Sequence, residues 1–189
     1  MTNIIIHISG PNASGKTKLG ERFKNLYEKY IKVKDLDTLR DKFLMKRKCY
    51  NKFDKVSYQK YIDKYIEHHS NKPLIFVGLN TMPWWHLGHY YNVHAKYKFF
   101  IKIDDDINLE YKCKRLLMDL AHSKEDMEVL VNENKKYIEN VVSAIKRELN
   151  LDNIVKENNM FRRDYKKQGY IFLTSDKIEE EVRQILDKY

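Results

Sequence analysis

Eight residues near the start of the chain have the types and spacing to hold a phosphate: Gly10, Pro11, Asn12, Ala13, Ser14, Gly15, Lys16 and Thr17. They fit G-x-x-x-x-G-K-[ST], which cradles phosphates when a strand leads into it and a helix leaves it. Gly10 and Gly15 let the backbone turn tightly and bring its N–H groups close to phosphate oxygens. The start of the following helix adds the positive end of its dipole. Lys16 can reach β- and γ-phosphates, and the Thr17 hydroxyl is a ligand for Mg²⁺. The competing reading is a glycine-bearing strand-to-helix turn that binds nothing. It does not account for the match at every fixed position.

The flanking pattern supplies the required context. Residues 3–9 are an isoleucine run with a polar end, which predicts a strand buried on both faces. From Lys16 onward Leu19, Phe23, Leu26 and Tyr30 recur at helical spacing. Further strands are expected at 31–35, 73–79, 97–104 and 170–174. Helices are expected at 38–48, 54–69, around 109–120, 124–148 and 176–187. Residues 150–169 read as polar and irregular. Strands alternating with helices imply a parallel sheet covered on both sides.

The loop, the chain length and the strand layout resemble the P-loop kinases of small molecules and nucleotides. Those include shikimate and gluconate kinases, adenylylsulfate kinase, nucleoside monophosphate kinases and the kinase domain of polynucleotide kinase. The resemblance implies a three-layer α/β fold of the P-loop NTPase type. Its five-stranded parallel sheet would be ordered 2-3-1-4-5, with helices on both faces and the site at the carboxyl ends of the strands. It implies a single kinase-like domain over residues 1–189, with an acceptor-side loop at about 80–94 and a lid or insertion at about 121–169. ATP is the expected donor, with Mg²⁺.

The same resemblance assigns roles to Asp35-Leu36-Asp37-Thr38-Leu39-Arg40, which follows the second strand. By similarity Asp37 is the base toward the acceptor hydroxyl, Arg40 the acceptor clamp and Asp35 a metal partner through water. The competing reading makes this a helix start with Asp37 as its N-cap. The third strand ends in Gly78-Leu79-Asn80 and lacks the acid that many P-loop NTPases place there. Trp84 and Trp85 in the loop that follows are candidates for stacking on the acceptor, and His86, His89 and His94 for touching phosphate. The alternative is that these rings simply pack. Arginine is scarce, 8 of 36 basic residues, so Arg115, Arg162 and Arg163 are the candidates to neutralise a moving phosphoryl group. Asp104, Asp105 and Asp106 read as acids at a helix start.

Composition bounds the partners. The formal charge of +9 attracts polyanions or phosphorylated substrates, although a lysine-rich solvated surface explains it as well. Two distant cysteines, Cys49 and Cys113, fit a reducing, cytoplasmic setting and neither a disulfide framework nor a zinc site. No apolar run approaches the ~18 residues that span a bilayer. The leading expectation is an ATP-dependent kinase for a small-molecule or nucleotide acceptor. The alternatives are a non-catalytic nucleotide-binding regulatory module, a polynucleotide 5′-hydroxyl kinase and a nucleic-acid-dependent ATPase, the last two with nucleic acid as partner.

Overall fold

The computed structural model describes residues 4–47, 53–82, 88–122, 143, 145–146 and 149–188. Their elements, in chain order, are β1 (Ile5–Ser9), α1 (Lys16–Tyr27), β2 (Lys32–Asp35), α2 (Leu36–Arg47), α3 (Lys55–His68), β3 (Leu74–Val77), β4 (Tyr97–Ile101), α4 (Asp105–His122), α5 (Leu151–Lys167), β5 (Ile171–Leu173) and α6 (Ser175–Asp187). The chain divides into two compact units. The first holds the sheet, α1, α2, α3, α6 and the end of α5 from Asp164. The second holds Pro11–Ser14, α4 and α5 as far as Arg163.

The sheet is parallel throughout, in the order β2-β3-β1-β4-β5. This is the expected order. β1 lies at the centre, with Ile6 beside Ile75 of β3 and Tyr97 of β4. β2 and β5 form the edges. All five residues of β1 are buried, as a central strand covered on both faces requires.

Strand alternation separates two cores. Ile6, Ile8, Ile75 and Val77 pack with Leu19 and Phe23 of α1 and with Ile178 and Val182 of α6. On the other face Ile5, Leu74 and Phe76 pack with Leu36, Leu39 and Phe43 of α2 and with Tyr58 and Ile62 of α3. Helices therefore cover both sides of this unit. Gly20 sets how closely α1 approaches. A Cβ there would meet Val77 Cγ1 at 3.0 Å and Val33 Cγ1 at 3.3 Å.

The connection from β3 to β4 is not helical among its described residues. It leaves and returns through a short antiparallel neck: Tyr91 N donates to Asn80 O, Met82 N donates to His89 O, and Thr81 bridges Tyr90. Tyr91 and Val93 then close over the α2–α3 core.

One expectation is overturned. Residues 150–169 are not irregular, since 151–167 form α5. Ile154, Asn158, Phe161 and Tyr165 are its buried positions, at spacings of three and four. The polar Asn158 interrupts the apolar stripe and hides the period. Its Nδ2 donates to Asp105 Oδ1 at 2.7 Å and Asn108 Oδ1 at 3.1 Å. The helix expected at 124–148 lies almost wholly outside the described residues.

Candidate functional site

In the first unit, β1 ends at Ser9 and α1 begins at Lys16. Gly15 has φ 86°, a left-handed conformation that glycine adopts without a steric penalty. Ala13 also has positive φ, 62°, a sparsely populated state for a residue with a Cβ. Lys16 Nζ folds back and donates to Gly10 O at 3.0 Å. In the second unit, Ser14 N donates to Pro11 O at 3.2 Å and closes a turn. Asn12 is held there twice: its carbonyl accepts from Asn108 Nδ2 at 2.7 Å, and its Nδ2 donates to Glu157 at 3.2 Å.

Asp35 ends β2 and turns the chain into α2. Its Oδ1 accepts from the backbone N–H groups of Asp37 at 2.8 Å and Thr38 at 3.1 Å. The capping role considered for Asp37 therefore belongs to Asp35, two residues earlier, because α2 already begins at Leu36. The other oxygen, Oδ2, accepts from the Thr17 hydroxyl at 3.5 Å. Thr17 and Asp35 thus bring two hard oxygen donors together, the donor type that Mg²⁺ takes. Residues of this kind fit that ion. Asp37 is exposed, and its Oδ1 pairs with Arg40 Nη2 at 2.9 Å. The two residues assigned to the acceptor side hold each other at the first turn of α2. No carboxylate stands at the end of β3, where Asn80 is buried.

A buried polar row crosses this unit on the α2–α3 side. His7 sits in β1 with both ring nitrogens used: Nε2 on Gly78 O at 2.9 Å, Nδ1 on the Tyr170 hydroxyl. A carbonyl can only accept, so Nε2 carries the hydrogen and Nδ1 accepts from Tyr170. Burial, with smaller contributions from nearby Lys98 and Lys16, lowers the His7 pKa to about 4 despite the opposing Gly78 bond. Tyr165 OH accepts from Asn80 N at 3.0 Å, and Tyr90 OH donates to Asp164 Oδ2 at 3.0 Å. The sequence reading missed His7, Asn80 and Tyr165 as a group. Only the unexplained histidine inside an isoleucine run signalled it.

The three candidate arginines lie in the second unit. Arg162 is committed: it donates to both Asp105 oxygens at 2.6 and 3.1 Å, to Asn159 and to Ile103 O. Burial of Asp105 opposes its ionised form, but the hydrogen bonds from Arg162 and Asn158 outweigh that and keep its pKa below the usual value. Asp105 and Asp106 occupy the first turn of α4, as expected of acids at a helix start. Arg115 and Arg163 are on exposed helical positions. Trp84, Trp85 and His86 lie outside the described residues. His89 gives its carbonyl to the neck described above, and His94 Nε2 is 3.2 Å from Asp63. Among the described residues no group of three or more His, Cys, Asp or Glu is placed to hold a metal, and no helix is long and apolar enough to cross a membrane.

The helices on both faces and the strand order together make a P-loop NTPase-like α/β fold. No protein-family model and no curated protein matches the chain. Solved structures do. A tRNA Δ2-isopentenylpyrophosphate transferase from Staphylococcus epidermidis superposes with a TM-score of 0.51 at 14% identity, covering 99% of this chain and 100% of that one. At that identity the likeness is one of fold. The structure of APE1195 matches 66% of this chain and 73% of its own, at 15% identity and a TM-score of 0.41, too low to carry an argument.

Proposed function

We propose that the chain is a Mg-ATP-dependent phosphotransferase acting on a hydroxyl or phosphate of a small molecule or nucleotide. The observation that carries this reading is the Thr17 hydroxyl turned toward Asp35, at the point where a complete phosphate-loop sequence meets the carboxyl end of β2. A loop that served only as a turn would need neither Lys16 nor a second oxygen donor beside Thr17.

In this reading the N–H groups of residues 10–17 and the Lys16 ammonium bind the triphosphate. Thr17, and Asp35 through water, would hold Mg²⁺, which would supply positive charge beside the phosphates. Asp37 orients the acceptor hydroxyl and takes its proton as the oxygen attacks phosphorus. Arg40 binds the acceptor, and the present Asp37–Arg40 pair keeps both groups in place before it arrives. Arg115 and Arg163 are the exposed arginines among the described residues of the second unit. Arg162 must release Asp105 before it can contribute charge.

Transfer from γ-labelled ATP with Mg²⁺ tests this, across nucleosides, nucleoside monophosphates, sugar acids and 5′-hydroxyl oligonucleotides. Label entering one acceptor class, lost in Asp37→Ala with ATP binding retained, is the expected result. Label that stays in ATP across the panel sinks the phosphotransferase reading and favours a nucleotide-binding regulatory module, to which the missing acid after β3 already points. Free phosphate released only with DNA or RNA favours the nucleic-acid-dependent ATPase, and label on the 5′-hydroxyl oligonucleotides favours the polynucleotide kinase, toward which the net charge of +9 points.

A further inference from the structure

The first unit contains a cavity of about 510 Å³ that the phosphate loop does not line, and neither Asp37 nor Arg40 lines it. One wall is the neck between β3 and β4, another the end of α5; Lys98 lies near the amino end of β4 and Tyr170 immediately precedes β5. Cavities of this size hold small ligands.

The lining is specific in what it offers. Tyr90, Tyr91 and Tyr170 contribute rings, but their hydroxyls are engaged within the protein: Tyr90 on Asp164, Tyr91 on Leu79 O at 3.1 Å, Tyr170 on His7. Tyr91 and Tyr170 are almost wholly buried and the Lys98 ammonium lies over the Tyr170 ring, so Tyr90, half-buried, is the ring open to a planar partner. Asn80 also lines the cavity. Its Nδ2 donates to Tyr91 O at 2.8 Å and Gln168 Oε1 at 3.2 Å, which fixes the amide orientation because both partners can only accept. Its Oδ1 is buried and has no hydrogen-bond partner, a costly arrangement unless a donor arrives. Lys98 and Lys167 supply two positive charges against one carboxylate, Asp164, which already accepts from Tyr90.

A ring face, one buried acceptor and a cationic edge match a planar heterocycle bearing an N–H and an anionic tail. We propose that this cavity is a second ligand site, for a nucleoside monophosphate, with the base against Tyr90 and an N–H on Asn80 Oδ1. The phosphate lies toward Lys98 and Lys167. The site stands whatever reaction the phosphate loop performs.

Calorimetric titration with AMP, GMP, CMP and UMP, in saturating Mg²⁺ and a non-hydrolysable ATP analogue, is the test. The full-length chain is used. Expected is a monophosphate that binds with the analogue present, and binds at least about tenfold more weakly to Lys167→Glu, since reversing an exposed charge removes one attraction and adds one repulsion. Adenosine and the other nucleosides bind more weakly than their monophosphates. Lys167 is exposed, so the substitution leaves the fold intact. Absence of monophosphate binding overturns the proposal. So does binding that the ATP analogue abolishes and Lys167→Glu leaves unchanged, which places the ligand on the phosphate loop instead.

Discussion

The Thr17 hydroxyl and the Asp35 carboxylate face each other across 3.5 Å, joining the first turn of α1 to the end of β2. Asp35 divides its two oxygens: one caps α2, the other meets Thr17. Substituting it therefore removes two functions at once, and the choice of residue separates them. Asp35→Asn keeps an acceptor oxygen for the cap but loses the charge. The expected outcome is a melting temperature close to wild type and a rise of about tenfold or more in the Mg²⁺ needed for half-maximal ATP turnover, since Mg²⁺ favours charged oxygen donors. Asp35→Ala also loses the cap, which costs about 1 kcal/mol of stability by chemical unfolding.

His7 is a titration built into the core. Its folded pKa is about 4 against 6.5 in the free side chain. Between those values the unfolded chain binds a proton that the folded chain refuses, so stability falls as the pH drops from about 6.5 to about 4. Each pH unit costs about 1.4 kcal/mol and the full window about 3 kcal/mol. The check is denaturant unfolding of wild type and His7→Gln at pH 7, 6, 5 and 4.5. The difference between the two proteins should shrink steadily on acidification. A constant difference contradicts a neutral buried His7.

The grip of Arg162 on Asp105 fixes α5 against the start of α4 within the second unit. Arg162→Ala leaves Asp105, itself half-buried, with Asn158 alone among these partners. The expected cost is about 1–3 kcal/mol, visible as a lower unfolding midpoint. Arg163→Ala, on an exposed position, should change stability by less than about 0.5 kcal/mol. Equal losses in the two variants would contradict the assignment.

Gly20→Ala pits two effects against each other. Alanine favours the middle of a helix by about 1 kcal/mol over glycine. The new methyl, however, presses on Val77 Cγ1 at 3.0 Å, and Val77 is a fully packed, β-branched strand residue. Overpacking of this kind costs about 1–3 kcal/mol, so the variant should be less stable than wild type by thermal unfolding.

The two ends of the chain differ in how legible they were. β1, the loop and α1 could be read directly, because an isoleucine run, fixed glycines and a strict helical period each carry their own signal. α5 could not. Its buried face includes Asn158, and a polar residue whose Nδ2 donates to Asp105 and Asn108 looks like a break in the pattern until the partners are known. Asp35 stands out in the sequence, but its cap cannot be distinguished from one by Asp37 without the start of α2. Nothing in the residue spacing revealed that Asn80, Tyr165 and Tyr170 meet, since that contact depends on a neck that only tertiary structure closes. Strand order followed from the family layout rather than from any residue pair.

The abundance of lysine, which composition alone leaves without a purpose, has one at the boundary of the sheet. β2 is an edge strand and reads Lys32-Val33-Lys34-Asp35. Another chain seeking to extend the sheet there must lay its backbone beside those ammonium groups, a standard obstacle to fibre-like stacking. The opposite edge, β5, has only three residues and leaves too short a template. One border is guarded by charge and the other by brevity, so neither edge offers another copy a template for extending the sheet.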